Sequence, residues 1–341
     1  MRILHAHNLM LRHYGKRNSY SGRKFSNGII RANHNLYEFS DRDIVRFEAP
    51  FAIRPLGIKK MNRKFLETCE NFRPDFLLIG HCDLISSETL SEVRKILPSV
   101  KISQWFLDAL WIDRNISRLK ERMHHLDSIF ITTGGEQLRM FCTGKNKVCF
   151  IPNPCDASIE TSDNSTKDNL NVDLLFCGVG SKSDNRYKML KELDSTIGQT
   201  INFQSYGIYG RPPIWGSLYE DLLPHVKMAL NLNREEGWFM YSSDRISQLM
   251  GNGILSFLPD ESGMRKLFSD EQAVFFKNHE DLEKKVIYFH HNDDHRKAIS
   301  AAGRKLYHEQ FSAMNIINFI IETTFDIPHT FNYSWSSEVY S

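Results

Sequence analysis

Residues 231–253 bring together groups suited to holding an anion. An apolar run over 228–232 gives way to a charged loop with Arg234, Glu235, Glu236 and Gly237, and Ser243-Asp244 then has the makeup of a helix N-cap. Arg245 falls in the first turn of a helix expected over 244–250, and Gly251-Asn252-Gly253 closes that helix before the next apolar run. A helix N-terminus offers free amides and the positive end of its dipole, and an arginine adds a bidentate fork, so a phosphate is the natural ligand. Gln248, one turn on, is placed to reach ribose hydroxyls. An exposed loop with a surface ion pair would use the same residue types.

A second turn, Gly178-Val179-Gly180-Ser181-Lys182, follows an apolar run and precedes helical spacing over 187–193. Its amides could meet a diphosphate, with Lys182 or Arg186 adding charge. It lacks the third glycine of a dinucleotide fingerprint, and a plain tight turn would read alike. In the first half, Asp108 comes directly after a strand-like run and can orient a hydroxyl or take its proton, or simply cap a helix. His81 and Asp83 follow the run over 76–80 and rank second. Residues 12–31 hold Arg12, Lys16, Arg17, Arg23, Lys24 and Arg31 with no acid, which gives a solvated basic face or a contact for anionic phosphate groups or a membrane surface. The histidine pairs 124/125 and 290/291 lack ligand spacing and read as surface residues.

These residues need a scaffold that places loops side by side. Apolar runs at 2–7, 76–80, 100–106, 128–132 and 148–151 alternate with helical spacing at 25–35 and 86–97. Continuous apolar strands between helices make a parallel sheet covered on both faces. Polar residues over 158–171 break the series, which restarts with strands at 172–177, 203–206, 228–232, 254–258 and 273–276 and helices at 281–290 and 294–307. The expected architecture is α/β, with two Rossmann-like, doubly wound domains facing a cleft. The bounds are an N-terminal domain over 1–155, a linker over 156–171, a C-terminal domain over 172–325, and a tail over 326–341 packing back on the N-terminal domain.

Composition fits this reading. At 341 residues the chain has room for two cores, and 41% hydrophobic with 25% charged residues is ordinary for a globular protein. A net charge of +2 is too mild for a nucleic-acid binder. Six cysteines without CxxC spacing, and no leader before the first strand, point to a cytoplasmic protein whose contact with a membrane would be peripheral.

Residues 243–253 resemble the donor-site segment of GT-B glycosyltransferases, in particular the CgeB-like group and the family-four (group 1) retaining transferases. Residues 270–276, Asp281-Leu282, 296–303 and 308–312 resemble that family's last helices. Thr132-Thr133, 148–152 and Asp156 resemble its domain junction, and Asn27-Gly28 through Asn33-His34-Asn35 its first helix and second strand. The resemblance implies that residues 243–253 hold the donor and that Asp108 faces the cleft; joined to the residue readings above, the expected donor site is Gly178, Gly180, Lys182, Arg234, Glu236, Ser243, Arg245, Gln248 and Gly253, with Asp108 and His81 as the catalytic candidates. Arg17, Arg23 and Lys24 would meet an anionic glycan or glycolipid. The family's ribose-holding acid falls on Gln248 and the upstream glutamate is displaced, with Glu236 nearest, so the nucleotide is left open. The DxD string Asp41-Arg42-Asp43, a metal motif in other transferases, reads as coincidence, because GT-B sites neutralise the leaving diphosphate with helix dipoles and basic side chains. The expected activity is sugar transfer from a nucleotide sugar, without metal or other cofactor, in bacterial surface-polysaccharide or lipopolysaccharide assembly. A CMP-activated acidic sugar of the 3-deoxy-octulosonic type, a nucleotide-sugar 2-epimerase and a non-catalytic scaffold are the alternatives.

Overall fold

The computed structural model describes residues 1–17 and 20–341. The chain divides into two compact units, Met1–Pro154 with Ala313–Ser341, and Cys155–Ser312. The first opens with β1 (Arg2–Ala6), α1 (Tyr20–Arg31), β2 (Asn35–Phe39), α2 (Asp41–Glu48) and α3 (Arg54–Phe72). It continues through β3 (Phe76–Ile79), α4 (Ser87–Ile96), β4 (Lys101–Phe106), α5 (Asp113–Arg122), β5 (Ser128–Ile131) and β6 (Lys147–Phe150). The central strands β3 and β5 are buried along their whole length, which is why they read as unbroken apolar runs. The sequence places a helix over 25–35, but α1 starts at Tyr20 and stops at Arg31, with Asn33 turning the chain at φ 59° before edge strand β2.

The second unit contains β7 (Val172–Cys177), α6 (Asn185–Ile197), β8 (Phe203–Tyr206), α7 (Ser217–Leu222) and β9 (Val226–Leu230). It ends with α8 (Arg245–Gly251), β10 (Leu255–Pro259), β11 (Val274–Phe276), α9 (His279–His291) and α10 (Asp293–Gln310). Its sheet is parallel in the order β11-β10-β9-β7-β8, so the winding reverses between β7 and β9. One face packs Leu190, Leu193 and Ile197 of α6 with Leu282, Val286 and Phe289 of α9, and the other holds Leu249, Leu223 and Ile254. The segment expected to be a linker is ordered within this unit: buried Asn164 donates to the carbonyls of Leu223 and Val226, both at 2.8 Å.

The chain then returns to the first unit with α11 (Ala313–Phe325) and β12 (Val339–Tyr340). This corrects the expected C-terminal boundary at 325. Ile316, Ile317, Phe319 and Ile320 of α11 are fully buried, and the α1 backbone comes so close that a Cβ on Gly28 would sit 2.3 Å from the Ala313 carbonyl oxygen. The tail closes the first sheet as its one antiparallel strand, in the order β12-β6-β5-β4-β3-β1-β2. Among the described residues no helix is long and apolar enough to cross a membrane.

Candidate functional site

Ligands of doubly wound sheets lie past the carboxyl ends of the strands, where the winding reverses. In the second unit that point lies between the loop after β7 and the loop after β9, and Arg245 joins them. Its guanidinium donates from Nη1 to the Cys177 carbonyl (2.7 Å), from Nη2 to the Leu232 carbonyl (2.7 Å) and from Nε to Asn231 Oδ1 (3.2 Å). It lies over the Phe176 ring at 5.2 Å, and burial pulls its pKa down to about 10, which leaves it charged at neutral pH. The sequence places Arg245 against phosphate. Three of its N–H groups are instead directed at the protein itself, two at backbone carbonyls and one at the Asn231 side chain, which holds two strand ends together.

The Gly178 turn differs from expectation for a related reason. The Gly178 amide donates to the Tyr206 carbonyl (3.0 Å) and the Gly180 amide to the Gly207 carbonyl (3.3 Å), so neither is directed at a ligand. Charge around the turn comes from side chains. Arg186 Nη2 (3.2 Å) and Arg234 Nη2 (3.0 Å) both donate to the Val179 carbonyl. Asp184, which caps α6 by accepting from the Arg186 amide, lies 2.7 Å from Arg186 and 3.7 Å from Arg234. Burial opposes its ionisation, but the Arg186 hydrogen bond and charge, with Arg234 behind them, outweigh it and hold the carboxyl below its ordinary value. Arg234 keeps 50% of its side chain exposed and Lys182 is exposed, so these two cations are the ones open to a ligand. Glu236 is also exposed; Ser243, just before the N-cap of α8, and Gln248, in the middle of that helix, are half-buried. Gly253, at φ 68°, ends the helix where a Cβ would press on Asp163 and Asn164, a structural role.

In the first unit the structure brings His81 and Asp108 together, Nδ1 to Oδ2 at 3.6 Å, from the loops after β3 and β4. The His81 ring stands edge-on to Trp105 at 5.0 Å, and Gly80 is required beneath it because a Cβ there would lie 1.9 Å from that indole. A partly exposed imidazole beside a carboxylate can take a proton from a hydroxyl. Asp83 is not part of this pair: Arg42 and Arg118 hold it. Asp41 and Asp43 of the DxD string are buried and accept from the Leu84 amide (3.0 Å) and the Leu11 amide (3.1 Å), which ties down loops. Nor do 12–31 form one basic face, since Lys24 is fully buried in α1 and Arg12 pairs with Asp43, while Arg17 and Arg23 are exposed. His290, expected at the surface, is half-buried with Nδ1 3.4 Å from Asp173.

Residues 186–322 match the protein family described as Glycosyl transferase-like, a stretch that takes in Arg234, Arg245 and all of α8. The chain is similar in structure to HepE of Anabaena, solved in complex with UDP and glucose, with a TM-score of 0.60 and 11% identity over 96% of this chain and 100% of that one. Sucrose-phosphate synthase from Thermosynechococcus elongatus gives 0.61 and 12% over 96% and 99%. The trehalose-6-phosphate synthase OtsA gives 0.60 and 10% over 96% and 100%. The chain has the GT-B fold. No curated protein gives a significant sequence match.

One part of this GT-B protein escaped the sequence reading. Behind His81, Trp105 Nε1 donates to His5 Nε2 (2.9 Å), which fixes the proton of neutral His5 on Nδ1. That nitrogen faces Ser26 Oγ at 2.9 Å; the hydroxyl donates to Glu38 Oε1 (2.6 Å), and His7 Nε2 lies 3.2 Å from the same oxygen. The His5 and His7 rings stack at 4.2 Å. The available signal was two histidines at alternate positions, hence on one face, in an otherwise apolar strand start.

Proposed function

We propose that this protein transfers a sugar from a nucleotide-sugar donor held by its C-terminal unit to a glycan or glycolipid acceptor. The observation that carries the reading is the glycosyl transferase-like match over 186–322, which falls on the strand-loop-helix unit that Arg245 organises. In this reading Arg234 and Lys182 meet the donor diphosphate. Ser243 and Gln248 face its remaining polar groups, Glu236 closes the loop side, and Arg245 positions the two strand ends. His81 with Asp108 takes the proton of the acceptor hydroxyl. Basic side chains stabilise the leaving diphosphate, so no metal or other cofactor is required. Bacterial surface-polysaccharide or lipopolysaccharide assembly, at the cytoplasmic face of a membrane, is the setting that suits a glycolipid acceptor.

Because HepE was solved with UDP-glucose, UDP sugars are the first donors to test. Thermal denaturation would be followed with UDP-, GDP-, dTDP- and CMP-linked sugars, since a ligand at a hundred times its Kd stabilises by about 2.7 kcal/mol. Stabilisation by one hexose donor, followed by release of its nucleoside diphosphate on transfer, is the expected result. A response to CMP-sugars alone would move the assignment to acidic-sugar transfer. No response to any donor would sink the enzymatic reading in favour of a scaffold.

A further inference from the structure

The helices α2 and α3 are joined by a turn in which Phe51 and Ile53 face water. The core stripe of α3 is Gly57, Met61, Phe65 and Cys69, repeating every four residues, and α2 buries Asp41, Asp43 and Val45. Outside both stripes, Phe51 is 93% exposed and Phe47 69%, with Ile53 and Leu56 exposed beside them. Phe51 sits in left-handed backbone at φ 56°, and the turn rests on a firm base, since a Cβ on Gly57 would lie 2.3 Å from the Val45 carbonyl oxygen. Single exposed apolar side chains are common, but four within ten residues form a patch.

The patch is set in positive charge. Arg46, Arg54, Lys59 and Lys60 are all exposed, and none has an ion-pair partner among the described residues. Glu48 is the one acid in the sequence from 46 to 64. The positive field reaches the neighbouring turn: His13 is held below its ordinary value by slight burial and then by Arg12, Arg17 and Arg46, and next to it Tyr14 is also exposed. A soluble polyanion would use the cations and leave the aromatic and aliphatic side chains in water. An anionic lipid surface uses both, with headgroups meeting the cations and the apolar tip entering the headgroup–acyl boundary.

We propose that residues 46–60 form a membrane-docking surface for anionic phospholipid, with Phe51 and Leu56 inserting and Arg54, Lys59 and Lys60 binding headgroups. This rests on the membrane-facing part of the function above and supplies the surface for it. The test is co-sedimentation of the full chain with vesicles of phosphatidylcholine alone or in equal parts with phosphatidylglycerol. The full chain is expected to sediment with the mixed vesicles only. Lys59→Glu with Lys60→Glu should weaken binding about tenfold or more, and Phe51→Ser with Leu56→Ser by a similar factor. Both double variants should keep the parent melting temperature and the parent response to nucleotide sugars, so the outcome is separable from donor binding. Absence of binding to mixed vesicles overturns the proposal, as does parental binding by the Phe51→Ser, Leu56→Ser variant.

Discussion

Arg245 donates to the Cys177 carbonyl at 2.7 Å, across the point where the second sheet reverses its winding. With the bond to Leu232, one side chain fixes the spacing of the loops after β7 and β9. Arg245→Ala would remove a donor from the Cys177 and Leu232 carbonyls and from the Asn231 amide oxygen, at about 1 kcal/mol or more for each lost bond. We expect a stability loss of about 3 kcal/mol or greater, read as a lower urea midpoint with an unchanged slope. Arg245→Lys should recover little, because an ammonium cannot span three acceptors in the plane of a guanidinium. A midpoint equal to the parent's would remove the clamp.

Arg234 offers the contrasting case. Its side chain is half-exposed, so Arg234→Ala should change stability by no more than about 0.5 kcal/mol. The stabilisation produced by the cognate nucleotide sugar should fall by an amount equivalent to about tenfold in affinity or more. Isothermal titration with the free nucleoside diphosphate gives the same comparison without turnover, and equal affinities in parent and variant would count against a diphosphate contact.

The His81–Asp108 pair predicts a separation of binding from chemistry. Asp108→Asn and His81→Gln should lower kcat by about 10² to 10⁴ while leaving the donor-induced melting shift in place. The decisive comparison is single-turnover transfer at saturating donor. Variants with parental rates would assign the pair a structural role.

Acid sensitivity should trace to the buried relay of the first unit. The hydrogen bond from His7, opposed by burial and joined by Ser26, draws the Glu38 carboxyl from 4.5 to about 2. Its contribution is therefore complete above about pH 4.5 and lost as pH falls toward about 2, an upper figure of about 3 kcal/mol. His5 acts earlier, because burial and then His7 hold it well below 6.5. The unfolded chain thus takes up that proton first, and stability begins to fall below about pH 6.5. Urea midpoints across this range should decline in two stages, and Glu38→Gln should flatten the lower one. A midpoint that does not fall between about pH 6.5 and 3 would exclude the relay as an acid-labile element.

Strands buried along their whole length, such as β3 and β5, were legible as unbroken apolar runs, and the runs read at 172–177 and 203–206 coincide with β7 and β8. Edge strand β2 was not read from periodicity, since alternate residues face solvent and only Phe39 is fully buried. Helices α3 and α5 carry so much charge that their narrow buried stripes were lost in it. At the candidate site, residue type located Arg245, His81 and Asp108, but not which way a guanidinium turns. An arginine turned onto the protein's own acceptors and an arginine facing a phosphate have the same sequence signature, and only the positions of the Cys177 and Leu232 carbonyls and the Asn231 side chain distinguish them. The relay from Trp105 to Glu38 joins residues far apart in the chain, beyond any local pattern.

The return of α11 and β12 to the first unit also sets an order of assembly. While the chain is being made, the α1 face that receives α11 and the β6 edge that receives β12 stand open until the entire second unit has been translated. An uncovered strand edge beside an uncovered apolar face invites pairing with another nascent chain. The second unit is contiguous and can close first, so the first unit, whose two pieces flank it in the chain, completes its fold after it.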